Sequence, residues 1–200
     1  MAKWFLEPGH TAAEFCVRHM MVADVCGYFK NVHGRLEFDE ATPERASVEV
    51  VIPTQGLWTG EPDRDHHLKS PDFFDVEKHT AITFKSKEVR VISPHEYTVT
   101  GDLTIRGITR LADLNVQYLG QWETPWWEEG VDKGPVCRAG FRATTTINRH
   151  DFGVSWNVPL PGGGVVVGDQ VRIRIDVEAV RGERIAPPAL PPELQSALMP

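Results

Sequence analysis

Between residues 171 and 179, apolar and charged side chains alternate without a break. The odd positions are apolar and the even positions are charged, in the order Val171-Arg172-Ile173-Arg174-Ile175-Asp176-Val177-Glu178-Ala179. Because successive side chains of a β-strand point to opposite faces, this segment is predicted to be a strand. One of its faces lies on a core and the other lies in water.

The same alternation recurs in about eight segments, which are separated by clusters of Gly, Pro, Asp or Asn. A chain of 200 residues with 41% apolar content suits one all-β domain. The pattern therefore predicts a single antiparallel barrel or sandwich. We expect the barrel to cover residues 1–182.

Four segments depart from this pattern. Residues 62–71 lack β-branched side chains and are bounded by two prolines, which predicts one short helix. A second helical turn is expected near His19–Asp24. Residues 121–135, rich in Trp and Glu, are predicted to be a long loop. Residues 183–200, rich in Pro, Ala and Leu, are predicted to be a flexible tail or an arm that packs on a neighbouring copy in a homodimer.

Charge and hydropathy exclude several classes of partner. The net charge is −7, and no dense run of Lys and Arg is present to bind a phosphate backbone, so we expect no nucleic-acid partner. No stretch approaches the roughly 20 apolar residues of a membrane-spanning helix, so no integral membrane segment is expected. The N-terminal residues lack the apolar stretch of a secretory signal, which predicts a cytoplasmic location.

The cysteines and histidines show no metal-ligand spacing. Cys16, Cys26 and Cys137 form no CxxC pair and are interpreted as reduced thiols, with a Cys16–Cys26 bridge as the alternative. The eight histidines are scattered, so we expect no metal site. No GxSxG motif is present, and the chain is expected not to be an enzyme.

The densest polar cluster is Arg64-Asp65-His66-His67. It fits a helix cap with surface charges, a polar clamp at the mouth of a cavity or, less well, a metal site. Acid–base chemistry by Arg64, Asp65 and His67 is the enzymatic alternative.

Aromatic residues are predicted to point inward, among small inward residues such as Ala46, Ala139, Ala143 and Thr145. An eight-stranded barrel has room either for side chains alone or for one small ligand. The pattern is thus compatible with a ligand cavity or with a filled core. The inward aromatic residues are Phe15, Phe29, Phe38, Phe73, Phe74, Phe84, Phe141 and Trp156.

Four ordered blocks of sequence carry a resemblance to a known family. They are Trp4 with Gly9-His10-Thr11 and Phe15–His19; Arg64–Ser70 with Phe73-Phe74-Asp75 and Ile82–Ser86; Gly101–Thr109; and Gly140-Phe141 with Ile147–Val154 and Val167-Gly168-Asp169. Over residues 4–180 the sequence resembles the YceI-like family, the bacterial lipocalin-like polyisoprenoid-binding proteins. The resemblance implies an all-β, eight-stranded antiparallel, lipocalin-like barrel with one short helix and a long apolar tunnel.

The resemblance also implies a function, which is to bind a polyprenyl chain or a quinone for carriage, storage or sequestration. A hydrolase or isomerase acting on a prenyl substrate and a filled-barrel stress or structural protein are the alternatives. No cofactor is expected beyond such a bound lipid or quinone. The residues expected to contact the ligand are Phe15, Val17, Phe38, Arg64, Asp65, His67, Leu68, Phe74, Phe84, Phe141, Ala143 and Arg149.

Overall fold

The computed structural model describes residues 1–182 together with Pro192 and Leu194. The described residues form eleven strands and one α-helix. The strands are β1 (Ala2–Leu6), β2 (Ala12–His19), β3 (Ala23–Phe29), β4 (His33–Phe38), β5 (Ser47–Pro53), β6 (Leu57–Trp58), β7 (Ala81–Ser93), β8 (Glu96–Ile105), β9 (Ile108–Glu128), β10 (Val131–Asn148) and β11 (Val167–Arg181), and the helix is α1 (Pro62–Lys69).

The strands close into one antiparallel barrel with eight positions around its wall. Each position is here called a stave, and three of the staves are each built from two consecutive short strands. The three interrupted staves are β1/β2, β3/β4 and β5/β6. The strand β4 pairs with β1 on one side and β5 on the other, and β3 pairs in the same way with β2 and β6. From β7 to β11, each strand pairs with the next along the chain. The last strand then pairs with both β1 and β2, which closes the sheet. The predicted eight-stranded antiparallel barrel is confirmed.

The α-helix α1 lies where the sequence predicts it. Pro62 fills the first turn, where its missing N–H has no partner to lose. The Glu61 side chain caps the helix by accepting bonds from the backbone N–H groups of Asp63 at 3.2 Å and Arg64 at 2.6 Å. The helix joins β6 to β7 and places the following Phe73 and Phe74 at one end of the barrel, here called the helix end.

Two local predictions are wrong. His19–Asp24 contains no helical turn, because β2 and β3 form a hairpin whose tip holds Met20 and Met21 at positive φ. Residues 121–135 are not a loop, because β9 and β10 continue as a hairpin around a turn at Glu129 and Gly130, both at positive φ. Trp and Thr favour extended backbone, and the hairpin leaves Trp122 and Trp127 exposed.

The interpretation of all three cysteines as reduced thiols is also wrong. The β2–β3 register sets Cys16 opposite Cys26 with Cα atoms 4.1 Å apart, and the two sulfurs form a disulfide. Cys137 is a free, half-buried thiol.

The predicted tail over residues 183–200 falls outside the described residues apart from Pro192 and Leu194. The Leu194 side chain is fully buried within the single chain. No helix in the described part of the chain is long and apolar enough to cross a membrane.

Candidate functional site

An apolar cavity of about 230 Å³ runs along the inside of the barrel. Every second residue of β11, from Val171 to Val177, lines its wall. At about 3.4 Å per residue, this run alone is about 20 Å long. The cavity is therefore an elongated tunnel. The polar residues that border it include Ser47, Thr83, Thr145 and Arg149. Glu14 also borders the cavity, but its carboxylate points to the outer face of β2, beside Cys16.

Most of the residues predicted to contact a ligand lie on this wall. The predicted small residues Ala46, Ala143 and Thr145 are also on it, whereas Ala139 is buried outside the lining set. Alternation alone does not separate Ala139 from Ala143, since both face inward on β10. The predicted binding residues on the wall are Phe15, Val17, Phe38, Leu68, Phe74, Phe84, Phe141, Ala143 and Arg149.

Arg64, Asp65 and His67 are not part of the wall. Arg64 donates to the Thr59 hydroxyl at 2.7 Å and to the Thr59 carbonyl at 3.0 Å, and Asp65 accepts the Thr59 backbone N–H at 2.8 Å. The Nε2 atom of His67 lies 2.9 Å from Asp72. These contacts tie the helix to its flanking segments, so direct ligand contact by the three side chains stays a prediction.

At the helix end, two arginines bind main-chain carbonyls. Arg149 is 4% exposed and donates to the carbonyls of Val154, Trp156, Val167 and Gly168 at 2.7 to 3.1 Å. Burial lowers the pKa of the Arg149 guanidinium from its ordinary value, and the Asp169 charge opposes that shift.

Arg106 joins two loops at the same end. Its guanidinium donates to the carbonyls of Pro71 and Phe73, which follow the helix, and to the carbonyl of Gly153, at 2.7 to 2.9 Å. Above them, the His67 ring packs edge-on against the rings of Phe73 and Trp156, with centroid distances of 5.1 and 4.8 Å.

The opposite end, here called the aromatic end, is filled by packed rings. The Phe38 ring lies 5.0 Å from Tyr118, 5.1 Å from Phe141 and 6.3 Å from Tyr97. The Tyr118 hydroxyl lies 3.5 Å from a carboxylate oxygen of Glu40. Burial, with a contribution from the Glu40 charge, raises the pKa of Tyr118 to about 12.

Sequence reasoning missed two polar groupings. At the helix end, the His150 ring lies 3.0 Å from the Ser155 hydroxyl through Nδ1 and 2.9 Å from Asp169 through Nε2. On the outside of the barrel, Glu14 lies beside the Cys16–Cys26 pair. Both depend on strand and loop pairing, and no spacing in the sequence signals either one.

The sequence is similar to those of several bacterial proteins. The YceI-like domain matches residues 4–179. A UPF0312 protein of Pseudomonas putida is 34% identical over 148 residues, which cover 74% of this chain and 73% of that protein. A UPF0312 protein of Pectobacterium carotovorum is 33% identical over 179 residues, or 90% of this chain and 85% of that protein.

Solved structures share the barrel. The YceI protein of Campylobacter jejuni is 27% identical, with a TM-score of 0.66, over 82% of this chain and 90% of that one. A polyisoprenoid-binding domain of Saccharophagus degradans, implicated in plant cell wall breakdown, is 12% identical, with a TM-score of 0.62, over 90% of this chain and 99% of that one. From the domain match and the relatives, the chain belongs to the YceI-like family.

Proposed function

We propose that the protein binds a long isoprenoid-type lipid, a polyprenyl chain or a quinone, inside the barrel, for carriage, storage or sequestration. The observation that carries the proposal is the elongated cavity, whose wall is apolar from Leu68 and Phe74 at the helix end to Phe38 at the aromatic end. A solved relative of the same fold is a polyisoprenoid-binding domain, which supports the same ligand class.

The physical gain comes from the chain of the ligand. Each CH₂ group that leaves water contributes about 0.8 kcal/mol before ordering costs are subtracted. The wall offers few polar partners for a head group, and four main-chain carbonyls already engage four of the five N–H donors of Arg149. We therefore expect the tail to lie in the tunnel and a polar head to lie at its mouth.

The replacement Ala143→Trp tests the tunnel. Ala143 is buried on the cavity wall, and a Trp ring there would fill space that the ligand uses. We expect the variant to lose the bound lipid that organic extraction and mass spectrometry detect in the wild type, with a nearly unchanged melting temperature of the empty protein. A filled core would instead be overpacked, at a typical cost of about 1–3 kcal/mol.

Two control variants make this test specific. Thr144 is the next residue on the exposed outer face of β10, so Thr144→Trp should keep the lipid. Ala139 is buried outside the lining set, so Ala139→Trp should lower the melting temperature. If Ala143→Trp still carries wild-type amounts of lipid, the proposed path of the ligand is wrong.

A hydrolase is the second candidate, and it rests on the contacts of His150 with Ser155 and Asp169. A serine nucleophile needs such a base and an acidic partner. All three residues are exposed here, which weakens activation of the hydroxyl and favours binding over catalysis. Turnover of a prenyl ester that disappears in Ser155→Ala would favour the enzyme instead.

Two finer proposals concern the state of the protein in the cell. A homodimer is proposed from the apolar residues beyond residue 182, and light scattering on the full chain and a chain ending at Gly182 tests it. A cytoplasmic location is the second proposal, and it stands against the Cys16–Cys26 bond, which is typical of oxidising compartments. Cell fractionation with thiol labelling decides between these locations.

A further inference from the structure

The outer surface of the β2–β3 hairpin gathers three side chains of the types that can ligate a metal ion. Cys16 and Cys26 face each other across the hairpin, and Glu14 precedes Cys16 on the same face. The Glu14 carboxylate oxygen lies 3.9 Å from the Cys16 sulfur. One ligand atom from each of the three residues lies within 4.8 Å of the other two. All three residues are half-buried, so they are shielded and still reachable.

The arginines around Glu14 form ion pairs with other carboxylates. Arg18 and Arg172 both pair with Asp24, and Arg174, directly opposite Glu14 on β11, pairs with Asp176. Among the described residues, Glu14 forms no salt bridge, and its nearest hydrogen-bond donor is the Tyr28 hydroxyl at 3.4 Å. A half-buried carboxylate beside two sulfurs is thus free to neutralise a positive ion.

We propose that the reduced protein binds one zinc-class divalent ion through the thiolates of Cys16 and Cys26 and the carboxylate of Glu14. Zinc accepts thiolate and carboxylate ligands, and three protein ligands leave one position for water. Soft thiolates select zinc over magnesium or calcium, which prefer oxygen ligands. The three negative charges of the reduced site exceed the charge of the ion by one.

The proposed metal site exists only while the Cys16–Cys26 disulfide is reduced. A small-molecule dithiol reduces the bond by exchange, so that its two sulfurs become the new disulfide and its two protons end on Cys16 and Cys26. Metal binding then releases both protons. In the reverse direction, a small-molecule disulfide takes two electrons from the thiolates, becomes two thiols with two protons from water, and the ion leaves. The bond and the metal site therefore exclude each other.

Cobalt provides a direct readout. The full-length protein is reduced with a dithiol, freed of the dithiol without oxygen, and titrated with Co²⁺ and then with Zn²⁺. We expect one Co²⁺ per chain, with thiolate-to-cobalt charge-transfer absorption that Zn²⁺ removes. The oxidised protein should show no such absorption. Failure of the reduced protein to show the band would overturn the proposal, as would loss of its β-sheet circular dichroism on reduction.

Single substitutions assign the ligands. Cys16→Ser and Cys26→Ser should each abolish the paired-thiolate spectrum, whereas Cys137→Ser, which removes the free thiol elsewhere, should leave it unchanged. Glu14→Gln should weaken cobalt binding at least about tenfold, the loss that even an outer partner of a metal ligand causes. Unchanged affinity in Glu14→Gln, or loss of the band in Cys137→Ser, would contradict the three-ligand site. None of these results depends on whether the tunnel binds lipid.

Discussion

At the helix end of the barrel, Arg149 and Arg106 hold the loops by donating to main-chain carbonyls. At the aromatic end, Phe38 and its three ring neighbours fill the space between the strands, and polar contacts are few. A hydrogen-bonded charge permits one geometry, whereas apolar packing tolerates changes of shape more readily. The helix end is therefore held closed by hydrogen bonds from arginine and the aromatic end by ring packing. Substitutions at each end measure the two contributions separately.

The largest effect is expected for Arg149→Met. The change leaves four carbonyls without their donor, so the free energy of unfolding should fall by about 3–5 kcal/mol, at about 1 kcal/mol or more for each buried group. Urea unfolding measures it. Arg142→Met is the matched control, because Arg142 lies on β10, the strand that ends just before Arg149, and forms only an exposed ion pair with Asp176, worth less than about 1 kcal/mol. Equal losses in both variants would refute the role assigned to the helix end.

An intermediate effect is expected for Phe38→Leu at the aromatic end. Ring pairs contribute about 0.5–1.5 kcal/mol beyond burial, so losing three of them should cost about 2 kcal/mol. Phe152→Leu at the helix end is the control, because Phe152 is equally buried and has no ring partner among the described residues. That change should cost about half as much. If thermal melts give the same loss for both, ring packing does not distinguish the two ends.

The smallest effect concerns pH and Tyr118. Its pKa is raised to about 12 in the folded protein, against an ordinary value of 10. The unfolded chain therefore releases this proton first, so stability is full below pH 10 and falls as pH rises toward 12. Between pH 8 and pH 11, the free energy of unfolding of Tyr118→Phe should therefore fall by about 1 kcal/mol less than that of the wild type. Urea midpoints at pH 8 and pH 11, in a Cys137→Ser background, measure the difference, and parallel profiles would contradict the raised pKa.

Local alternation was sufficient to predict much of this fold. Strand alternation or a place just after the helix predicts the inward aromatic residues, and seven of the eight line the cavity, while Trp156 packs against the core beside it. The short helix followed from two prolines and the lack of β-branched residues. These signals lie within a few residues of the elements that they specify.

Features that depend on pairing were not predictable in this way. The β2–β3 turn uses Met20 and Met21 at positive φ, where Gly or Asn is the usual signal, so neither the turn nor the register that joins Cys16 to Cys26 is visible in the sequence. The same holds for His150, which meets Asp169 across 19 residues of chain. Arg149 is expected to contact the ligand from its place in the family motif, but the sequence does not reveal that four main-chain carbonyls accept its hydrogen bonds.

The order of the staves has a consequence for how the chain folds. Most pairings join neighbouring segments, so hairpins can form locally as the chain leaves the ribosome, with little loss of loop entropy. Among the strand pairings of the described residues, only the seam between the first stave and β11 joins positions more than 140 residues apart. We therefore expect the pairing of the first stave with β11 to form last. A nascent chain that lacks β11 should remain an open, curved sheet without a closed tunnel.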